Sequence, residues 1–448
     1  MGQLLTLAWP VIISRSAQVV VGFTDAVMCA RLGESALAAT TAGATNTFNL
    51  LVLPMGTAFI VSSFVSQLVG AKDYAGARRY AWYGLGIALL AGVACLAAIP
   101  FVDDALAQFS YAADVREMMS AYLQVRLLSG GFVIGLEALG NYYNGLGNTR
   151  LPMLAQIFAM LLNVFFCWVL IFGHCGAPAL GVTGSAIAAV IATFIAFAAL
   201  LACFLLGVGH KKPPPGSKLN LRASEMVRAL RFGLPVGLNW FVEFAAFSFF
   251  INVVLAGLGT TVVAAMMSVL QLNSMSFMPA FAIASAGSIF VGQAIGAKAH
   301  DNVPRTVMLT LKATAAWQGF VGLFYVVVPG LLMSAFVSDA EQGRALLAVG
   351  APLLVLSAAW QLFDAASMTF AEALRAAGDT AFTFWARAGI AWLVFAPGAW
   401  ISVRVFGLGY MAAAAWLIVY LALLALVMWW RFNAGRWRAL DLTGQPLA

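Results

Sequence analysis

Five acidic residues lie inside long apolar stretches of this chain: Asp25, Glu137, Glu243, Asp364 and Glu372. A charge at the centre of a hydrocarbon layer costs about 2.5–3.5 kcal/mol on insertion scales, so each needs a partner or a task. Ser14, Gln18 and Asp25 share one face of a helix, and a polar stripe ending in a carboxylate suits an ion or proton site. Glu243 follows Asn239 by one turn, and Asp364 follows Gln361 and Ser357 at similar spacing. Oxygen ligands of this kind suit a hard cation such as Na⁺, with Glu243 and Asp364 as its ligands. The same two carboxylates also suit a protonatable pair, and both readings stand. Glu137 precedes Asn141 and Asn144 at helical spacing, and either lines a cavity or bonds within its own half. Glu372, just ahead of Arg375, reads as an ion pair near a span end. Arg15, Arg126 and Lys312 are expected near span ends, reaching for water. The cluster Met266, Met267, Met275, Phe277 and Met278 reads as packing or as an adaptable apolar wall for varied ligands.

The elements that hold these residues must be membrane helices. Of 448 residues 63% are hydrophobic and 9% charged, far too few charges to cover a soluble surface. Apolar runs of roughly 20 residues, enough to cross about 30 Å of hydrocarbon, recur along the chain. They predict an all-α integral membrane protein with about twelve spans, near 6–32, 46–69, 79–101, 119–144, 151–173, 180–208, 230–257, 262–293, 306–332, 345–373, 381–403 and 408–430. The N-terminus lacks a basic region and is broken by Pro10, Arg15 and Asp25, so it does not read as a cleaved signal peptide. The five cysteines and three histidines show no ligand spacing, and no metal centre or cofactor is expected beyond a coupling ion. Most Lys and Arg fall after even-numbered spans, among them Lys72, Arg150, Lys211, Lys298, Arg375 and Arg387. The net charge of +7 is therefore a topology signal rather than a nucleic-acid footprint. It puts both termini in the cytoplasm, with the chain in the cell (inner) membrane.

The chain repeats itself. Phe64 to Lys72 (FVSQLVGAK) matches Phe290 to Lys298 (FVGQAIGAK), Arg31-Leu32-Gly33 matches Gly257-Leu258-Gly259, and Gly147-Asn148-Thr149 echoes Gly378-Asp379-Thr380. Pro10 and Pro235 sit early in the first and seventh spans. Two parallel six-helix lobes follow: an N-lobe over 1–208, a polar Pro-rich cytoplasmic linker over 209–223, a C-lobe over 224–440 and a short tail over 441–448. Such halves suit alternating access rather than a channel. No GxxxxGK[ST] loop is present, so pumping draws on an ion gradient and needs no ATPase subunit.

These residues carry a resemblance to the MATE (multidrug and toxic compound extrusion) family, and within it to the NorM-like branch. Gly22-Phe23-Thr24-Asp25-Ala26-Val27-Met28 is similar to the family's first-span Asp motif, and Phe241-Val242-Glu243-Phe244 to the branch's seventh-span Glu motif. Asp364 precedes Ala373-Leu374-Arg375 as in NorM-like proteins. The resemblance implies that Asp25, Glu243 and Asp364 couple a cation or proton, with Asn163 facing Asp25. It implies exchange of Na⁺ or H⁺ for small organic solutes, often cationic and amphipathic, by a monomer in the lipid bilayer. Candidates for lining the solute cavity are Gln18, Glu137, Asn141, Asn239, Met267, Trp360 and Gln361. The chain departs from the pattern at Trp360, where Tyr is common, at Met266-Met267, where Gln is frequent, and at Cys167, where a second Asn is common. The alternative is a flippase or exporter of lipid-linked or other specialised metabolites, although such cavities carry several basic residues. An enzyme is not expected, because no catalytic constellation is visible.

Overall fold

The computed structural model describes residues 2–109, 111–209, 220–336, 340–440 and 442. Most of the expected linker, residues 210–219, and most of the tail lie outside the described residues. Among the described residues there are 11 helices long and apolar enough to cross a membrane, and 12 if one bent pair counts as a span. In chain order the spans are α1 (Gly2–Ala30), α2 (Glu34–Gly70), α3 (Tyr74–Leu106), α4 (Ala113–Leu127 and Gly130–Gly145, inclined by 49°), α5 (Arg150–Phe172) and α6 (Gly181–Leu206). They continue with α7 (Ala223–Leu258), α8 (Thr260–Gly296), α9 (His300–Val327), α10 (Gly343–Ala377), α11 (Thr380–Arg404) and α12 (Tyr410–Asn433). No strand occurs among the described residues. In lipid the backbone must satisfy its own hydrogen bonds, and a helix does so within one segment.

The all-α membrane fold and about twelve spans agree with the sequence reading, with one large shift of boundary. The second span, expected at 46–69, starts at Glu34. Its early turns hold Thr40, Thr41 and Thr45, which depress hydropathy. Each hydroxyl donates to the carbonyl four residues back, at 2.9, 2.8 and 2.9 Å, so the helix carries them without unmet polar groups.

The sequence repeats are structural repeats. After α2, Ala71 N bonds Gln67 O at 2.9 Å and Asp73 N bonds Leu68 O at 2.8 Å; after α8, Ala297 N bonds Gln293 O at 2.9 Å and Ala299 N bonds Ala294 O at 2.8 Å. The residue at the hinge of each turn is a lysine in left-handed conformation, Lys72 at φ 62° and Lys298 at φ 57°. That conformation costs a non-glycine residue about 1–2 kcal/mol, so its recurrence marks one inherited helix stop. Gly147 at φ 83° and Gly378 at φ 95° end α4 and α10 in the same way.

Internal packing divides the chain into two units, residues 10–237 and residues 1–9 with 238–448, called here the N-lobe and C-lobe. The first half of α7 belongs to the N-lobe. Glu225 near its start accepts from Arg79 Nε at 3.0 Å and from the Tyr83 hydroxyl at 2.8 Å, both on α3. Further along, a side chain at Gly233 would come within 2.7 Å of the Thr57 carbonyl on α2, so only glycine lets the two helices touch. In the C-lobe, α7 and α11 each contain a π-helical stretch, Phe250–Leu255 and Ile390–Phe395, and these meet through Phe250 and Phe395 at 5.2 Å between ring centres.

Candidate functional site

In the N-lobe the polar face of α1 meets α4 and α5. Asp25 is 7% exposed. Its Oδ1 accepts from Asn163 Nδ2 at 2.7 Å and from the Cys167 thiol at 3.1 Å, two donors one turn apart on α5. Neither donor is charged, so no hydrogen-bond partner cancels the carboxylate. Asp25 lines a cavity of about 400 Å³ together with Gln18, Thr47, Arg126, Glu137 and Gln156. Apolar side chains of Val21, Leu51, Met55 and Met160 complete the wall. Cys167 and Asn163 thus share one carboxylate oxygen of Asp25.

Glu137 follows both readings that its spacing allowed. It lines the cavity, and it is held by Arg15 through both terminal guanidinium nitrogens, at 3.2 and 3.4 Å, and by Gln18 Nε2 at 3.0 Å. Arg15 therefore does not reach for water near a span end. Its side chain turns inward because Glu137 offers a bidentate acceptor. Arg126 also departs from expectation: it stands at the bend of α4 and lines the cavity, with Nε and Nη1 buried and lacking a hydrogen-bond partner. Asn141 donates to the Glu137 carbonyl on its own helix at 2.8 Å and lines a narrower recess with Gln18 and Arg15.

In the C-lobe Glu243 and Asp364 each have protein partners. Glu243 forms an ion pair with Arg387 of α11 and accepts from the Tyr420 hydroxyl of α12 at 3.2 Å. Asp364 Oδ2 accepts from Gln318 Nε2 of α9 at 2.9 Å. The two carboxylates and the guanidinium lie near enough to act on one another electrostatically. Arg387, counted from the sequence as a loop residue, lies inside α11, where Glu243 draws its charge inward. Sequence reasoning also missed Gln318 and Tyr420, which are ordinary polar residues until a carboxylate is set beside them. The detectable signal was for Arg387, which sits two helical turns beyond the Gly378–Thr380 turn.

Two of the cavity candidates, Gln361 and Trp360, are buried inside the C-lobe. Gln361 is 2% exposed, accepts from Ser276 Oγ at 2.9 Å and donates to Asn273, so both ends of its amide fasten α10 to α8. Trp360 is 6% exposed within the apolar core of the C-lobe, because the larger indole fills space rather than lining it. Met267 is half exposed while Met266 is fully buried. Asn239 keeps a buried side-chain oxygen without a partner.

The repeats align the two lobes residue by residue. Gln156 and Arg387 both lie seven positions past the threonine of the shared turn, Thr149 and Thr380. Gln18 and Glu243 both lie eight positions past the shared proline, Pro10 and Pro235. The π-helical stretch in α7 absorbs one extra residue before Gly259, the counterpart of Gly33. Where the N-lobe has two amides, the C-lobe has an ion pair.

Two repeated helical lobes with buried carboxylates inside them define a polytopic membrane protein of the transporter class. The MatE family model matches residues 10–169 and 235–401, most of the chain, and the chain belongs to that family. Multidrug resistance protein PmpM of Pseudomonas aeruginosa is 30% identical over 397 residues, covering 85% of this chain and 79% of that protein. A probable multidrug resistance protein NorM of Photorhabdus laumondii is 25% identical over 395 residues, covering 88% and 86%. A solved structure described as the outward-facing conformation of a multidrug resistance MATE family transporter of the MOP superfamily superposes with a TM-score of 0.85 at 18% identity. It covers 99% of this chain and 96% of that one, a likeness of fold.

Proposed function

We propose that this transporter exports varied organic solutes, cationic amphipathic ones among them, from the cytoplasm in exchange for inward movement of H⁺ or Na⁺. It works as a monomer in the inner membrane with both termini cytoplasmic, and draws on no ATPase subunit. The names of its relatives support multidrug export. The observation that carries the coupling is Asp25: a buried carboxylate, held by neutral donors only, in the wall of a cavity large enough for a small organic molecule.

A cation or proton bound at Asp25 and a cationic solute in the same cavity compete for the Asp25 charge, which Arg126 in the same wall offsets in part. Binding of either weakens the other by the same factor, which is the reciprocity that exchange requires. Asn163 and Cys167 hold the carboxylate in place, and the apolar wall accepts solutes of differing shape. Glu137 contributes less charge, since Arg15 neutralises it.

The test is efflux of a cationic dye from proteoliposomes, with Na⁺ and pH gradients imposed separately. Asp25→Asn should insert and fold but lose gradient-driven efflux. Wild-type rates for that variant under both gradients would make Asp25 structural and remove this mechanism.

A further inference from the structure

The seventh- and tenth-span carboxylates read from the sequence as a Na⁺ site or a protonatable pair, and the residues around them do not fit a Na⁺ site as they stand. A hard cation needs several oxygen ligands with charge to spare. Around Glu243 the neighbours are donors instead: the Arg387 guanidinium and the Tyr420 hydroxyl. Around Asp364 the neighbour is the Gln318 amide nitrogen. Gln318 Oε1, which has no partner, belongs to the amide whose nitrogen already donates to Asp364, and the Arg387 guanidinium already brings the positive charge a cation would supply. From α8, which packs against α10, no charged side chain enters, because that helix has none.

We infer that Arg387 is a tethered cation, occupying the position that a free ion would take beside Glu243 and Asp364, so that the C-lobe binds Na⁺ only when that guanidinium is removed. The repeat supports this independently. The N-lobe counterpart of Arg387 is Gln156, a neutral cavity-lining amide, and the counterpart of Glu243 is Gln18. Opposite charges thus stand together at matching points of α7 and α11, where the other lobe has a neutral pair. Arg suits the task, since its fixed planar fork holds a carboxylate in one geometry and stays charged at any working pH. Without it Glu243 and Asp364, which act on one another electrostatically, would have no cation to offset their repulsion, an arrangement that draws one in. The inference rests on the reading of the protein as a cation-coupled transporter, and replaces a free ion by a side chain in one lobe.

The experiment is binding of radioactive sodium to the full-length protein, purified in detergent, with choline chloride holding ionic strength constant. Wild type should show no sodium binding that Glu243→Gln abolishes. Arg387→Gln should acquire saturable binding at least about tenfold tighter, a gain of ~1.4 kcal/mol. The added change Glu243→Gln should remove it, and Arg387→Lys, which keeps a cation, should stay without it. Sodium binding by wild type that depends on Glu243 would overturn the inference, as would a folded Arg387→Gln that gains none. If Arg387→Gln does not fold, the wild-type and Glu243→Gln measurements still decide. Loss of dye efflux under both gradients in wild type would count against the transport reading and leave the sodium result standing by itself.

Discussion

The two lobes keep the same helix stops and treat their buried acids differently. In the N-lobe Asp25 is held by an amide and a thiol beside an open cavity of about 400 Å³. In the C-lobe Glu243 is neutralised by Arg387, and the helices that carry the pair, α7 and α11, are each widened by a π-helical stretch. A repeat preserves the backbone plan because turns such as those at Lys72 and Lys298 are set by local hydrogen bonds. It leaves inward-facing side chains free to diverge, since exchanging two amides for an ion pair keeps the site's net charge. The first- and seventh-span acids therefore differ in partner, Asp25 being held by neutral donors with Arg126 in the same cavity wall and Glu243 being paired directly with a guanidinium.

The strongest way to break this comparison is Asp25→Asn. Dye efflux should fall to the background rate under either gradient, while membrane insertion and apparent melting temperature change little, since shape is kept and only charge is lost. Retained coupling would mean that the N-lobe carboxylate is no more exposed to solution chemistry than its C-lobe counterparts.

A second test sets the ion pairs against each other. Arg15→Met leaves Glu137 with Gln18 alone and should cost roughly 3 kcal/mol, the lower end for a broken buried pair because both side chains are partly solvated. Replacing Glu137 by leucine as well should restore most of it. Arg387→Gln should lower the melting temperature less, since the Glu243 side chain is 27% exposed and retains Tyr420. Equal shifts would show that the two pairs are equally buried in practice.

Smaller effects separate cavity from scaffold. Gln361→Ala strips partners from Asn273 and Ser276 and should destabilise the C-lobe by about 1–3 kcal/mol, read as a lowered melting temperature, with the range of exported dyes unchanged. A changed range would return Gln361 to the solute path. The mildest substitution is Cys167→Ser: a hydroxyl still donates to Asp25, so efflux should stay within about threefold of wild type, whereas Cys167→Val should lose more. Equal rates for the two would show that the thiol does not support Asp25.

Much of this was legible in the sequence. Apolar runs a bilayer wide admit only helices, so the spans followed from composition, and the offset between matching segments revealed the repeat. The family followed from Asp25, Glu243 and Asp364 in their local contexts. Hydropathy misplaced the start of α2, because hydroxyls that bond back to their own helix count as polar without behaving so.

What the sequence by itself determined, then, was the set of helices, their stops, and which acids had to be accounted for. Each depends on residues a few positions apart. Which acid gains a charged partner was decided by tertiary structure, because that turns on residues far away in the chain. Arg15 reaches Glu137 across 122 positions, and Arg387 reaches Glu243 across 144. Periodicity can say that a basic side chain lies near the end of a span. Only packing of one helix on another says whether it turns outward to water or inward to a carboxylate, and the energy of a buried charge depends on that choice.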